Sequence, residues 1–257
     1  MIDIHSHILP NFDDGAKDAG VSLEMLKESF RQGVDTVVST SHCYPKEQKG
    51  IDNFIKKRAY RLSELEKITA QSDTPLPKIV PGCELHLMSD ISEYEGLEKL
   101  CIGDTKYILL EMPYTPWNEG IFDIIYKTEL RGFIPVIAHI DRFLYQDKAL
   151  LNSLFELDVL YQVNADTIID KRQRRDVDML FETGKIHFIG SDMHNMTKRP
   201  PCLEAAKSAV IKHYGENHWR YLEENNAILL KGGEIDINGY KNLKKKSFFI
   251  NFFNRYS

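Results

Sequence analysis

Thiols are scarce in this sequence: Cys43, Cys83, Cys101 and Cys202 are the only four cysteines among 257 residues, widely scattered and without a CxxC pair. That excludes a disulfide-framed secreted scaffold and leaves each thiol to be read first as a small apolar residue in a reducing compartment. Long apolar runs are missing as well. None approaches the roughly 18 residues that span a bilayer, so no transmembrane segment is expected. The opening MIDIHSHILP has no basic stretch ahead of a greasy one, and a cytoplasmic location is the expectation. Basic excess is absent too. The 33 Lys plus Arg against 38 Asp plus Glu give a formal charge of −5, which offers no general footing on a phosphate backbone and argues against nucleic acid as a partner. Internal repeats and Gly/Ser- or Pro-rich linkers are lacking, so one domain is expected.

What is present is 42% apolar residues and 28% charged ones, enough for a core deep enough to enclose a site. Short apolar or β-branched runs recur at Ile2 to Ile4, Thr36 to Thr40, Ile79 to Val80, Tyr107 to Leu110, Ile134 to Ala138, Leu160 to Val163 and His187 to Ile189. Helical spacing fills several of the gaps, for example over Ser22 to Gln32, Ile51 to Gln71, Ile121 to Arg131, Arg172 to Thr183 and Leu203 to Tyr214. This alternation predicts an α/β fold of parallel βαβ units, either a closed or distorted barrel or an open doubly wound sheet. Pro113 to Gly120 reads as a loop over one end.

The last stretch differs. Lys241, Lys244, Lys245, Lys246 and Arg255 face no acidic residue, so the rest of the chain carries −10. Phe248, Phe249, Phe252, Phe253 and Tyr256 would share one face of a helix. Packing against the body is one reading of this tail, and docking on an acidic partner or an anionic membrane surface is the other.

The chemistry sits where the strands end. His5 and His7 follow the first run, His42 the second, Glu84 the third, Glu111 the fourth, His139 the fifth, and Asp192 with His194 the seventh. In a parallel barrel those ends converge on one face, where active sites are assembled. Residues two apart on a strand share a side, so the HxH of His5 and His7 can grip one cation, and the DxH of Asp192 and His194 repeats the device. Taken singly, His139 after PVIA reads as a hydrogen-bonded core histidine and Glu84 or Glu111 as a solvated carboxylate. Their common position changes that reading, because a cation at the mouth would compensate several polar groups that are costly to bury unpaired. Asp14 in NFDDG offers a further carboxylate, with Asp13 as the competing choice and a turn before Gly15 as the structural alternative.

Nitrogen and hard oxygen donors without thiolate favour Mn²⁺, Fe or catalytic Zn²⁺ over a structural zinc site, and the donors are too many for one ion. Two or three ions bridged by a carboxylate such as Glu84 suit a multinuclear hydrolase, which activates water against a phosphate ester. Arg142 in AHIDR and Arg199 in TKRPP are placed to hold phosphate oxygens, or else serve as surface ion-pair partners. A rival reading starts from the His42–Cys43 dipeptide, which resembles the start of the thiolate loop of cysteine-dependent tyrosine phosphatases. Such a loop needs an arginine about six residues on to bind phosphate, and position 49 is Lys, so Cys43 reads as a bystander.

The ordered set MIDIHSHILPNFDDGAKD, STSHCYP, GCELH, LLEMP, VIAHIDR, QVNAD and GSDMHNMTKRPP, spread to about Tyr221, resembles the PHP (polymerase and histidinol phosphatase) superfamily. Within it the chain is similar to the manganese-dependent protein-tyrosine phosphatases of bacterial capsule and exopolysaccharide operons, the CpsB/YwqE type. That resemblance implies a distorted (β/α)7 barrel over residues 1–240, with the active site at the C-terminal strand ends and a trinuclear centre. His5, His7, Glu84 and Asp192 would hold one ion. His42, Glu111 and His139 with bridging Glu84 would hold a second, Asp14 and His194 would help hold a third, and Arg142 and Arg199 would bind the phosphoryl group. The implied substrate is phosphotyrosine on a membrane-associated tyrosine autokinase that controls polysaccharide export. A phosphoesterase of the histidinol-phosphatase type and a non-catalytic docking protein are the alternatives. Residues 241–257 are not part of the resembled pattern.

Overall fold

The computed structural model describes residues 1–87 and 89–240; the basic aromatic tail over 241–257 lies outside the described residues. Among the described residues run nine strand segments: β1 (Ile2–Ser6), β2 (Thr36–Ser39), β3 (His42–Cys43), β4 (Lys78–Pro81), β5 (Glu84–His86), β6 (Tyr107–Glu111), β7 (Ile134–Ile137), β8 (Leu160–Asn164) and β9 (Phe188–Gly190). All their pairings are parallel, in the orders β1-β2-β4 and β3-β5-β6-β7-β8-β9. The α/β class and the parallel sheet agree with the sequence pattern.

The seven expected runs become nine segments because the second and third are each interrupted. Pro81 has no N–H for the ladder, and Gly82 passes so close to β2 that a Cβ there would lie 2.9 Å from Val38 Cγ1. The path continues through Gly82 N donating to Ser39 O and Glu84 N donating to Thr40 O, at 2.9 and 3.0 Å. Beyond β9 the chain meets β1 again: Ser6 bridges Met193, Asp192 N donates to His5 O and His7 N donates to Met193 O. The sheet therefore curls until its two ends touch.

Among the described residues eight α-helices connect or follow the strands: α1 (Ala19–Arg31), α2 (Gln48–Thr69), α3 (Gly120–Leu130), α4 (Lys148–Glu156), α5 (Ala165–Ile169), α6 (Arg174–Thr183), α7 (Leu203–Tyr214) and α8 (Glu216–Leu230). The expected helices are recovered with shifted ends. α1 starts three residues before Ser22 because Asp18 caps it, its carboxylate accepting from Val21 N. α6 starts at Arg174 rather than Arg172 because Lys171–Gln173 forms a 3₁₀ turn capped by Asp170.

Alternation along the strands sorts the interior into two levels. Ile4, Val38, Tyr107, Leu109, Val136, Leu160 and Phe188 come from successive strands into one apolar cluster, which Leu229 on α8 joins and Ile235 and Ile237 flank. Further along the same face Leu109 is followed two residues on by Glu111 and Leu160 by Gln162 and then Asn164, while Asp192 lies two residues past the end of β9. An apolar floor thus lies beneath a polar mouth at the carboxyl ends of the strands.

His187 fastens the floor to the chain after α8. Its Nδ1 accepts from Tyr161 N at 3.0 Å and its Nε2 donates to Ile237 O at 3.1 Å, so the ring is held neutral. Burial pushes its pKa down to about 4. The unfolded chain binds this proton more readily, so the contribution is complete above pH ~6.5 and is lost as pH falls toward ~4, about 3 kcal/mol at most. Urea unfolding of the protein and of His187→Gln should show a stability difference that shrinks over that window; a difference independent of pH would contradict this assignment.

Candidate functional site

β1 slips register between Asp3 and Ser6, a bulge placed where the strand passes from the apolar floor to the mouth. Within it and just past it, His5 and His7 are fully buried and aim their Nε2 atoms at one point, 3.3 Å apart. Their outer nitrogens fix the tautomers. Gln162 Oε1 already accepts from His139 N at 2.7 Å, so it is an acceptor, and His5 Nδ1 at 3.1 Å must donate to it. His7 Nδ1 donates to Asp13 Oδ2 at 2.9 Å. In the neutral rings both facing Nε2 atoms are therefore lone pairs, which repel unless positive charge lies between them.

Two carboxylates complete that arrangement. Glu84 Oε2 lies 3.4 and 3.3 Å from the Nε2 atoms of His5 and His7, and Asp192 Oδ1 lies 3.4 Å from each. Each triangle of donors is near-equilateral, with its corners about 2 Å from a common centre, the bond length of a transition metal to imidazole or carboxylate.

Glu84 also faces the next group. Its Oε1 is 2.6 Å from His139 Nε2 and its Oε2 is 2.8 Å from His42 Nδ1, while Glu111 stands 3.7 Å from His139 Nε2 and 3.8 Å from His42 Nδ1. The contact between His42 and Glu84 lacks hydrogen-bond geometry: His42 Nδ1, Glu84 Oε2 and Glu111 Oε2 are buried without a hydrogen-bond partner. Atoms that converge without bonding one another are what a set of metal ligands looks like. A third group joins Asp14 Oδ1 to His42 Nε2 at 3.4 Å and to His194 Nε2 at 3.3 Å, with His7 also in reach. All nine histidine and carboxylate residues expected from sequence thus meet in one mouth.

Both expected arginines reach the same place, although each is engaged. Arg142 Nη2 donates to Asp192 Oδ2 at 2.7 Å and its Nη1 reaches the Tyr114 hydroxyl at 3.4 Å. Arg199 Nη2 donates to the same Asp192 oxygen, and its Nη1 donates to His194 Nε2 at 2.9 Å. Their side chains remain 30% and 28% exposed, so both guanidiniums form part of the mouth rather than of the surface.

Three participants stand behind the nine ligands: Asp13, the competing choice for the place of Asp14, and the unexpected Gln162 and Asn164. Asp13 accepts from His7 Nδ1, His42 N and Gly15 N, which makes it the orienter of His7 and leaves the outward-facing position to Asp14. A Cβ at position 15 would fall 2.2 Å from His7 O, so the turn that holds Asp13 requires glycine. Gln162 joins His5 to the His139 backbone, and Asn164 receives Gln162 Nε2 and donates to Asp192 Oδ2 at 2.8 Å. The two lie two and four residues after Leu160, and that period was the available clue. Cys43 is buried in the core, and burial pushes its neighbour Cys83 well above the ordinary thiol range.

The electrostatics favour cations. Asp13, Asp14, Glu84, Glu111 and Asp192 face two guanidiniums, an excess of three negative charges of which only Asp14 stands in water. Burial opposes protonation of His5 and His7, yet the surrounding carboxylates overcome it and raise both. Glu84 and Asp192 are lowered well below the usual range against their own burial, by His5 and His139 for the one and by His5 and His7 for the other. His194 goes the opposite way, down to about 3, by burial and then by His7. Backbone strain marks the same residues: His139 and Asp192 hold φ of 30° and 52°, in the left-handed region that side chains disfavour. The residues present fit a divalent cation cluster.

The family model for capsular polysaccharide synthesis, CpsB/CapC, matches residues 1–231. The tyrosine-protein phosphatase YwqE of Bacillus subtilis (strain 168) is 31% identical over 255 residues, covering 97% of this chain and 99% of that one. The tyrosine-protein phosphatase CpsB of Streptococcus agalactiae serotype V is 31% identical over 239 residues, covering 88% and 96%. In three dimensions the chain is similar, with a TM-score of 0.80 and 31% identity over 92% of its length and 96% of the other, to a structure from a study of YwqE from Bacillus subtilis and CpsB from Streptococcus pneumoniae, described as unique metal-dependent tyrosine phosphatases.

Removing the orienter should be felt in metal affinity rather than in the fold. Asp13→Ala is expected to weaken Mn²⁺ binding about 10- to 100-fold, read by calorimetry, with an unchanged circular dichroism spectrum. Affinity within twofold of the parent would show that His7 is held without Asp13.

Proposed function

Because this chain belongs to the CpsB/CapC family of capsular polysaccharide synthesis, we propose that it is a metal-dependent protein-tyrosine phosphatase that hydrolyses phosphotyrosine on a protein partner. The observation that carries this reading is the meeting of His5 Nε2 and His7 Nε2 at 3.3 Å, each backed by an acceptor and each facing Glu84 and Asp192. Thiolate chemistry has no support, with Cys43 buried and Lys rather than Arg at position 49.

His5, His7, Glu84 and Asp192 would hold one ion. His42, Glu84, Glu111 and His139 would hold a second, and Asp14 with His194 would help hold a third. Their nitrogen and oxygen donors suit Mn²⁺, with Fe or Zn²⁺ as chemically admissible substitutes. When bound, such ions supply an acidified water and neutralise charge on a phosphoryl group. The protein's own part is positional. Asp13 and Gln162 fix the tautomers of His7 and His5, and the strained backbone at His139 and Asp192 aims those side chains inward. Arg142 and Arg199, pinned side by side on Asp192, offer N–H groups to phosphoryl oxygens at the mouth. A phenol, with its pKa of about 10, leaves more readily than an alkoxide and makes less demand on a proton donor.

Residues 1–240 form the phosphatase domain in this reading, and the curled sheet with its two interrupted strands is counted as a distorted (β/α)7 barrel. The protein acts in the cytoplasm on a membrane-associated tyrosine autokinase of polysaccharide export, with residues 241–257 available for peripheral contact. Among the described residues no helix is long and apolar enough to cross a membrane.

With added Mn²⁺ the purified protein is expected to release phosphate from a phosphotyrosine peptide, to stop on chelation and to resume when metal is restored. Cys43→Ser should retain activity, whereas Arg142→Ala or Arg199→Ala should lower kcat/KM about 100-fold. Chelator-resistant hydrolysis that vanishes in Cys43→Ser would reverse the assignment.

A further inference from the structure

Nothing in the ligand set itself tells an aryl phosphate from an alkyl one, because in the reading above the metal donors and the two arginines address only the phosphoryl end. Two side chains at the rim do differ from the rest. Tyr44 directly follows β3, and Tyr114 lies in the loop after β6; β5, with its terminal His86, runs between those strands. Each tyrosine is 51% exposed, so packing leaves half of each ring in water. Tyr44 is anchored by its inner side, 5.1 Å from the His42 ring and edge-on to His86 at 5.2 Å. Tyr114 packs at 5.2 Å from Phe143, and its loop is tied by the Tyr145 hydroxyl donating to Tyr114 O at 2.9 Å.

The positions tie these rings to the reaction. The Tyr114 hydroxyl stands 3.4 Å from Arg142 Nη1, which places Tyr114 beside any group esterified to a phosphoryl held by Arg142. On that side opens a cavity of about 620 Å³ whose walls include His86, Leu87, Pro113, Tyr114 and Ile121. Tyr44 meets the same rim through its edge contact with His86. We propose that Tyr44 and Tyr114 form an aromatic clamp for the phenyl ring of phosphotyrosine, and that the cavity beside Tyr114 receives the peptide next to it. The clamp selects tyrosyl over seryl phosphates by ring–ring contact, which a seryl side chain cannot make. It rests on the phosphatase reading above and names the feature that sets its substrate class.

The test uses the full chain loaded with Mn²⁺ and two non-hydrolysable peptides of one sequence, one carrying phosphonomethyl-phenylalanine and one an aliphatic phosphonate. Calorimetry should show Tyr44→Leu and Tyr114→Leu each binding the aryl peptide about 3- to 10-fold more weakly, the range of one aromatic contact, with the aliphatic peptide within twofold. Tyr44→Phe should bind the aryl peptide like the parent. With the hydrolysable phosphotyrosine peptide the loss should fall on KM rather than kcat. Equal losses on both peptides, or none on the aryl one, would overturn the clamp while leaving hydrolysis by the parent intact. A parent that neither binds nor cleaves phosphotyrosine would instead refute the phosphatase reading, and the clamp with it.

Discussion

Negative charge gathered out of reach of bulk water is the constraint around which the rest of this molecule is arranged. Glu84, Glu111 and Asp192 are almost wholly buried, and so are His5, His7, His139 and His194. Carboxylates at that depth are costly unless positive charge lies among them. The two arginines meet only part of the demand, and both lean on Asp192. The remainder falls on the imidazoles or on cations that take the place of their protons. The raised His5 and His7 and the lowered Glu84 and Asp192 express that one imbalance from its two sides.

The fold makes such a gathering possible by separating levels along the strands. Apolar side chains from successive strands fill the interior first, and α8 with the segment after it covers that end. Two residues later the same inward face turns polar, so a rigid dry floor supports the charged mouth. The backbone bears strain where the aim has to be corrected: the bulge in β1, the close approach of Gly190 to His5, and positive φ at His139 and Asp192. A Cβ at position 190 would fall 2.5 Å from His5 Cβ, which explains a glycine ahead of the Ser-Asp-Met-His stretch.

Much of this was legible in the order of residues. A hydrophobic run ending in a polar group, repeated strand after strand, announces a parallel sheet with its chemistry at one end, and His5, His7, Glu84, Glu111 and His139 follow from it directly. What stayed hidden depends on tertiary contact. Asp13 and Asp14 are adjacent carboxylates in one turn, and only the fold shows that one grips His7 from behind while the other faces His42 and His194. Gln162 and Asn164 are uncharged and look like ordinary strand residues until the period from Leu160 is followed into the mouth. The breaks at Gly82 and after Ser39 arise from a backbone approach that no local propensity encodes.

The central claim is that these buried groups exist to hold divalent cations, and anomalous diffraction reads it most directly. Crystals grown with Mn²⁺ and recorded at the manganese absorption edge should show a peak within ligand distance of His5 Nε2, His7 Nε2, Glu84 and Asp192, with at least one more beside His42 and Glu111. A map in which the mouth carries no anomalous peak, while the histidines bond directly to the carboxylates, would contradict the account.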